Sequence, residues 1–284
     1  MFKKKKKEFE PQYYTSATNM RTYNYRVYNM PLWERILTFL VAFIVGAAIG
    51  YLFYGGIGVD EFGEPTAVTW FLNAFISGIT GIIFGFSFIP IRKKQVRDKR
   101  KKMLKSQFRD LLEAFNSSLG AGKNVVDSFS AVYNDLNLQY EEDAFILKEL
   151  EIILSGINNN IDIEDLLLDF GERSGIDDIK SFANVFKISY RKGGNIKETI
   201  RITHEILSDK MAIEEEIETK VTANKLEQKI MIVMPIGIIA MIKMMSAEFA
   251  ANFVTPSGLI ATTIAIVMFV ISYFVGKAIL DIKV

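Results

Sequence analysis

Unbroken apolar runs alternate with charged ones along this chain, and the apolar runs come in two pairs. Trp33 to Tyr54 and Val68 to Ile91 form the first; Ile230 to Ala247 and Leu259 to Leu280 form the second. Each is close to the roughly 20 residues that a helix needs to cross a bilayer core of about 30 Å. The pattern predicts a polytopic membrane protein with four spans. Arg92 to Lys229 carries too much charge to enter lipid and is expected to form a water-exposed domain between the second and third spans. The predicted fold is all-α: a tail over 1–32, a membrane hairpin over 33–91, a helical domain over 92–229 and a second hairpin over 230–284.

Within the central stretch the apolar positions keep a helical period. Leu104, Phe108, Leu111, Leu112, Phe115 and Leu119 recur at spacings of three and four, one buried face of a helix that Gly120 and Gly122 end. A second helix is expected from Asn124, with Val125, Val126, Phe129, Val132, Tyr133 and Leu136 inward, a third from about Glu141 to Leu154, and a loop at Asn158 to Asn160. Asn124 to Phe129, Asp162 to Leu167 and Asn195 to Ile200 share one frame, a short polar residue followed three positions later by an acid. That frame reads as three helix starts, in which the polar side chain takes orphan amides and the acid suits the positive end of the helix. Lys192-Gly193-Gly194-Asn195 is the sharpest turn. No breaker follows it before the third span, so a helix of roughly 33 cytosolic residues, about 50 Å long, is expected to run into the membrane.

Charge sets the expected orientation. The chain has 34 basic and 33 acidic residues, but 8 basic against 3 acidic lie in Met1 to Arg35, 9 against 1 in Arg92 to Lys105, and 13 against 24 in Ser106 to Gln228. Gly55 to Ala67 and Ser246 to Ser257 lack Lys and Arg. By the positive-inside rule these short loops face outward, while both termini and the central domain face the cytoplasm. The Lys3 to Lys7 run is not a signal-peptide start, because no apolar region follows until about residue 36. It suits either a solvated topogenic charge or a hold on anionic lipid. The tail's Tyr13, Tyr14, Tyr23, Tyr25, Tyr28 and Trp33 fit the headgroup zone or the face of the central domain equally well.

Candidate chemistry is sparse. Cysteine is absent, which removes disulfides, thiolate metal sites and cysteine nucleophiles, and His204 is the only histidine. Gly120-Ala-Gly122-Lys123-Asn124 looks like a phosphate loop but has Ser117 where the first Walker glycine belongs and Asn124 where Ser or Thr belongs. It reads as a helical turn, and any ATP-driven work is assigned to a partner. No catalytic, cofactor or metal site is predicted, and the acidic domain speaks against nucleic acid. Gly46-x-x-x-Gly50 and Gly81-x-x-x-Gly85 offer small-residue faces for close helix approach. Pro235 and Gly237 are placed to kink the third span. Lys243, beside Glu248, is close enough to the outer surface to snorkel, and Asn73 is a polar residue in the second span.

Several of these strings together resemble a known family. They are Phe108-Arg-Asp-Leu-Leu112, Ser118-Leu-Gly-Ala-Gly122, Arg191-Lys-Gly-Gly-Asn195-Ile-x-Glu198-Thr, Met234-Pro235 and Phe253-Val-Thr-Pro-Ser-Gly258. In this order they look like the F-domain of type II secretion and pilus platform proteins, and with two spans in front of one domain the chain is most similar to the TadB/TadC branch of tight-adherence (Flp) pili. The resemblance covers about Lys99 to Leu280. It implies a non-enzymatic platform in the cytoplasmic membrane, with a hexameric secretion ATPase, pilin or prepilin subunits and a second platform subunit or further copy as partners. The ATPase-facing surface is then expected at Gly120, Gly122, Lys123 and Asn124 and at Arg191, Lys192, Gly193, Gly194 and Asn195. Pilin contact is expected near Pro235, Lys243 and Pro256. The alternatives are a small transporter, disfavoured by spans nearly free of buried polar groups, and a receptor, disfavoured by outer loops of about a dozen residues each.

Overall fold

A computed structural model of the chain describes residues 11–15, 20–60 and 64–280. The Lys3 to Lys7 run lies outside the described residues. Among the described residues a short β-ribbon, β1 (Tyr13–Thr15) and β2 (Arg21–Tyr23), precedes nine helices. These are α1 (Leu32–Tyr54), α2 (Ala67–Gly120), α3 (Val125–Gln139), α4 (Phe145–Asn158), α5 (Ile163–Ser174), α6 (Asp177–Arg191), α7 (Ile196–Met245), α8 (Ala247–Phe253) and α9 (Pro256–Leu280). The chain is mostly helical, and α1, α2, α7 and α9 each hold a stretch long and apolar enough to cross a membrane, which marks a membrane protein. Two compact units result. One joins the N-terminal segment up to Asn29 with Lys93–Ala212; the other joins Met30–Arg92 with the chain from Ile213 onward.

The first unit is built on the expected stripe of α2. Leu104, Phe108, Leu111, Leu112 and Phe115 are all buried and meet Phe129, Val132 and Leu136 of α3, Ile146, Leu150 and Ile153 of α4, Phe170 of α5, and Phe182 and Phe186 of α6. Phe108 is the aromatic centre, edge-on to Phe170 at 6.1 Å and to Phe182 at 5.4 Å. Val126, expected inward, is exposed instead. Position 126 is three before Phe129 but six before Val132, so it drifts off the buried face while Val125 stays on it.

Two of the three shared helix-start frames act as read. The Asn124 side chain accepts from the Asp127 amide at 2.8 Å and donates to the Asp127 carboxylate at 2.7 Å, and Asn195 accepts from the Glu198 amide at 3.1 Å. Asp162 makes no side-chain cap; its backbone carbonyl takes the Asp165 and Leu166 amides. Accordingly, Asn124→Ala and Asn195→Ala are each expected to cost about 1 kcal/mol, and Asp162→Ala less than about 0.5 kcal/mol. Thermal midpoints of the three variants check this, and equal losses at all three positions would contradict it.

Other boundaries differ from the sequence reading. The third helix is displaced to Phe145–Asn158, so Asn158 is helical and the turn is made by Asn159 and Asn160, the latter left-handed at φ 57°. Gly175, at φ 58°, ends α5 and lets α6 start two residues later, a break that the sequence reading did not mark. The second span and the first domain helix, read as ending at Ile91 and starting near Lys99, are one helix through Pro90. The intervening Arg, Lys and Gln residues are good helix formers and include no glycine.

The all-α expectation needs one addition, and it decides where the tail goes. β1 and β2 pair antiparallel, with Tyr13 opposite Tyr23, and the chain then dives into the helical unit. Tyr25 is 2% exposed, packs edge-on to Phe145 and donates from its hydroxyl to Glu149 at 2.9 Å. Glu149 is held by Arg173 through two parallel bonds of 2.8 and 2.7 Å. Arg173 also donates to Asp169 at 2.6 Å and to the Tyr23 carbonyl at 3.1 Å, while its own carbonyl takes the Tyr25 amide. Burial pushes the Glu149 carboxyl up from the ordinary carboxylate range, against the pull of the guanidinium. For Arg173, burial works to lower the pKa, but Glu149 and Asp169 outweigh it and hold the group charged. Burial, with Glu149 beside it, raises the Tyr25 phenol well above its usual value. The tail is thus stitched to α4 and α5; on α2, Arg100 donates to the Tyr23 hydroxyl and lies over the Tyr28 ring at 4.4 Å.

In the second unit the glycine pairs face the neighbouring helix. A Cβ on Gly46 would lie 2.6 Å from the Phe84 Cβ, and one on Gly50 would lie 2.1 Å from Thr80 Oγ1. One on Gly81 would meet the Phe43 ring at 2.8 Å, and one on Gly85 the Phe39 ring at 2.5 Å. Both small-residue patterns therefore serve a single α1–α2 contact. Asn73 is used structurally, accepting from the Gly56 amide at 3.0 Å. Helix α7 continues through Pro235 and Gly237, and part of the region read as an outer turn is the short helix α8, capped by Ser246.

Candidate functional site

The two turns singled out in the sequence are built by helix ends that close with left-handed glycines. After α2, Gly122 at φ 86° lets the Gly122 and Lys123 amides return to the Leu119 and Ser118 carbonyls. After α6, Gly193 at φ 67° lets Gly194 donate to the Ser189 carbonyl at 2.7 Å. A Cβ on Gly194 would sit 3.2 Å from that same oxygen, a tight approach that a larger residue would have to relieve by shifting the turn a few tenths of an ångström. At Gly122 and Gly193 an added Cβ would meet nothing within 4 Å, because both turn tips point into open space.

The two turns share one end of the helical unit. Lys197 Nζ, in the first turn of α7, lies 4.0 Å from the place of a Cβ on Gly120, and Ser189 and Thr199 hydroxyls bond at 3.1 Å across the second turn. Gly120, Gly122, Lys123 and Asn124 are exposed, as are Arg191, Lys192, Gly193, Gly194 and Asn195. Their roles differ. Asn124 and Asn195 are caps, and Arg191 donates to buried Glu164 of α5 at 2.9 Å. That hydrogen bond holds the Glu164 carboxyl below its usual range and raises Arg191 in turn. Lys123 and Lys192 carry no such partner.

Sequence reasoning missed Lys197 and Glu164. Lys197 had a signal, since a cation in the first turn of a helix opposes the helix dipole and is not placed there by local stability. Glu164 had none, because its importance comes from Arg191, 27 residues away.

The residues expected to meet pilin do not form one cluster. Lys243 lies over the Phe253 ring at 4.9 Å, and Pro256 is the exposed first residue of α9, three residues beyond that ring. Pro235 is eight residues before Lys243 on α7, about 12 Å along the helix. No protein-family model, no curated protein and no solved structure matches this chain.

Proposed function

We propose that the chain is a platform protein of a type II secretion or tight-adherence (Flp) pilus machine in the cytoplasmic membrane. It couples a hexameric cytoplasmic secretion ATPase to the insertion or extraction of pilin subunits, and it has no catalytic site of its own. Four helices cross the membrane with both termini cytoplasmic, and the helical domain is inserted between the second and third. The observation that carries the reading is the pair of exposed glycine turns at one end of a domain whose α2 and α7 each continue unbroken into apolar, membrane-length segments. A docking event at those turns acts directly on two helices that also traverse the bilayer. The polar residues that would suit a transporter are engaged elsewhere, Asn73 on the Gly56 amide and Lys243 on the Phe253 ring, which supports the platform reading over transport.

The test is binding of the full-length protein, held in lipid nanodiscs, to the purified secretion ATPase of its host. Saturable binding with a fixed stoichiometry is expected. A folded protein that binds no ATPase would overturn the proposal.

A further inference from the structure

The domain that bears the turns is acidic overall, which suggests a basic partner, yet three of its lysines that have no ion pair gather at the docking end, beside the capping acids Asp127 and Glu198. Most cations between Ser106 and Gln228 are neutralised internally, among them Lys210 on Asp178, Lys180 on Glu172, Lys187 on Asp165, Arg191 on Glu164, and Arg201 between Glu198 and Glu205. Among the cations there whose side chains are described, only Lys123, Lys148, Lys192 and Lys197 lack a carboxylate at ion-pair distance. Three of those four stand on the two glycine turns or beside them.

Folding accounts for only part of the trio. Lys123 and Lys192 follow the C-terminal ends of α2 and α6, where a cation is favoured, but Lys197 sits in the first turn of α7, where the dipole disfavours it. We infer that Lys123, Lys192 and Lys197 form a basic docking surface for a partner protein that presents acidic side chains to two turns whose tips carry no side chain. Glycine at both tips lets that partner approach the backbone closely, and solvated lysines with no internal claim on them are free to pair across the interface. Resting on the platform reading, the partner is the secretion ATPase, which must therefore meet this basic end of an acidic domain with an acidic face.

The test titrates the ATPase against full-length protein in phosphatidylcholine nanodiscs, comparing the parent with Lys123→Glu/Lys192→Glu/Lys197→Glu and with Lys148→Glu. None of these changes breaks an internal ion pair; reversal at Lys123 and Lys192 removes cations favoured after helix C-termini, so a small drop in thermal midpoint is expected with the protein still folded at the assay temperature, and the midpoint verifies that. Binding is expected to weaken on the order of tenfold or more in the triple variant and to stay unchanged in Lys148→Glu. Binding by the parent is expected to fall as salt rises from about 0.05 to 0.5 M. If the ATPase binds parent and triple variant equally, the basic surface is refuted while the platform reading stands. If the parent binds no ATPase, both fall. Lysine-dependent capture of phosphatidylglycerol vesicles, with ATPase binding unaffected, would assign the surface to lipid and overturn the inference.

Discussion

Arg173→Leu is expected to destabilise the helical unit by about 3–5 kcal/mol, because it strands the Glu149 carboxylate in the interior with only the Tyr25 hydroxyl as a donor. The Glu149 side chain is 1% exposed, so water cannot replace the two lost guanidinium bonds. Tyr25→Phe removes one donor and leaves both guanidinium bonds, and is expected to cost only about 1–3 kcal/mol. Combining Glu149→Leu, Arg173→Leu and Tyr25→Phe removes the polar cluster as a set and is expected to recover much of the loss. Amide hydrogen exchange across α4 and α5 of the full-length protein reads all three. Retention of parental protection in Arg173→Leu would mean that the pair does not hold the tail and these helices together. Recovery in the triple variant would identify the ions as mutual compensation rather than a net gain.

That cluster also marks the limit of what the sequence makes legible. The four apolar runs, the stripe from Leu104 to Phe115, the caps at Asn124 and Asn195 and the two glycine turns are local patterns, decided by spacing and by the chemistry of neighbouring residues. Each appears in the structure near its expected position. Glu149 gave a local warning, since it falls on the apolar face shared by Ile146, Leu150 and Ile153. Its partners did not, because Arg173 is 24 residues away and Tyr25 is 124. The destination of the tail was undecidable for the same reason: tyrosine is at home in a headgroup layer and in a protein groove, and only buried Thr22, Asn24 and Tyr25 distinguish the two. At Asp162 the local frame was correct and its use was not, since the backbone carbonyl took over the capping role. The candidate docking end was legible as two turns, but not as one surface. Lys197 near Gly120 joins them, and that contact spans 77 residues of chain.

Phe108→Ala is expected to cost a further about 3–5 kcal/mol by a different route, the cavity left when a fully buried ring is removed from between α2, α5 and α6. Phe170 and Phe182 contact the ring edge-on and cannot both move into the space, because each belongs to a helix fixed by its own core contacts. Phe108→Leu retains most of the volume and is expected to lose less. Phe88→Ala, on the same helix but 45% exposed in the apolar segment, serves as the position control and is expected to change little. Thermal unfolding monitored by exchange in α5 and α6 separates these cases; a Phe108→Ala protein as stable as Phe88→Ala would refute the core assignment. The functional corollary is specific. The turns at Gly120 to Asn124 and Arg191 to Asn195 are carried by α2, α6 and α7, so their juxtaposition depends on the packing that Phe108 anchors. On the proposed platform role, ATPase binding by Phe108→Ala should therefore fall in proportion to the unfolded fraction and recover on cooling toward the temperature of maximum stability. The lysine reversals should weaken binding at every temperature at which the domain is folded.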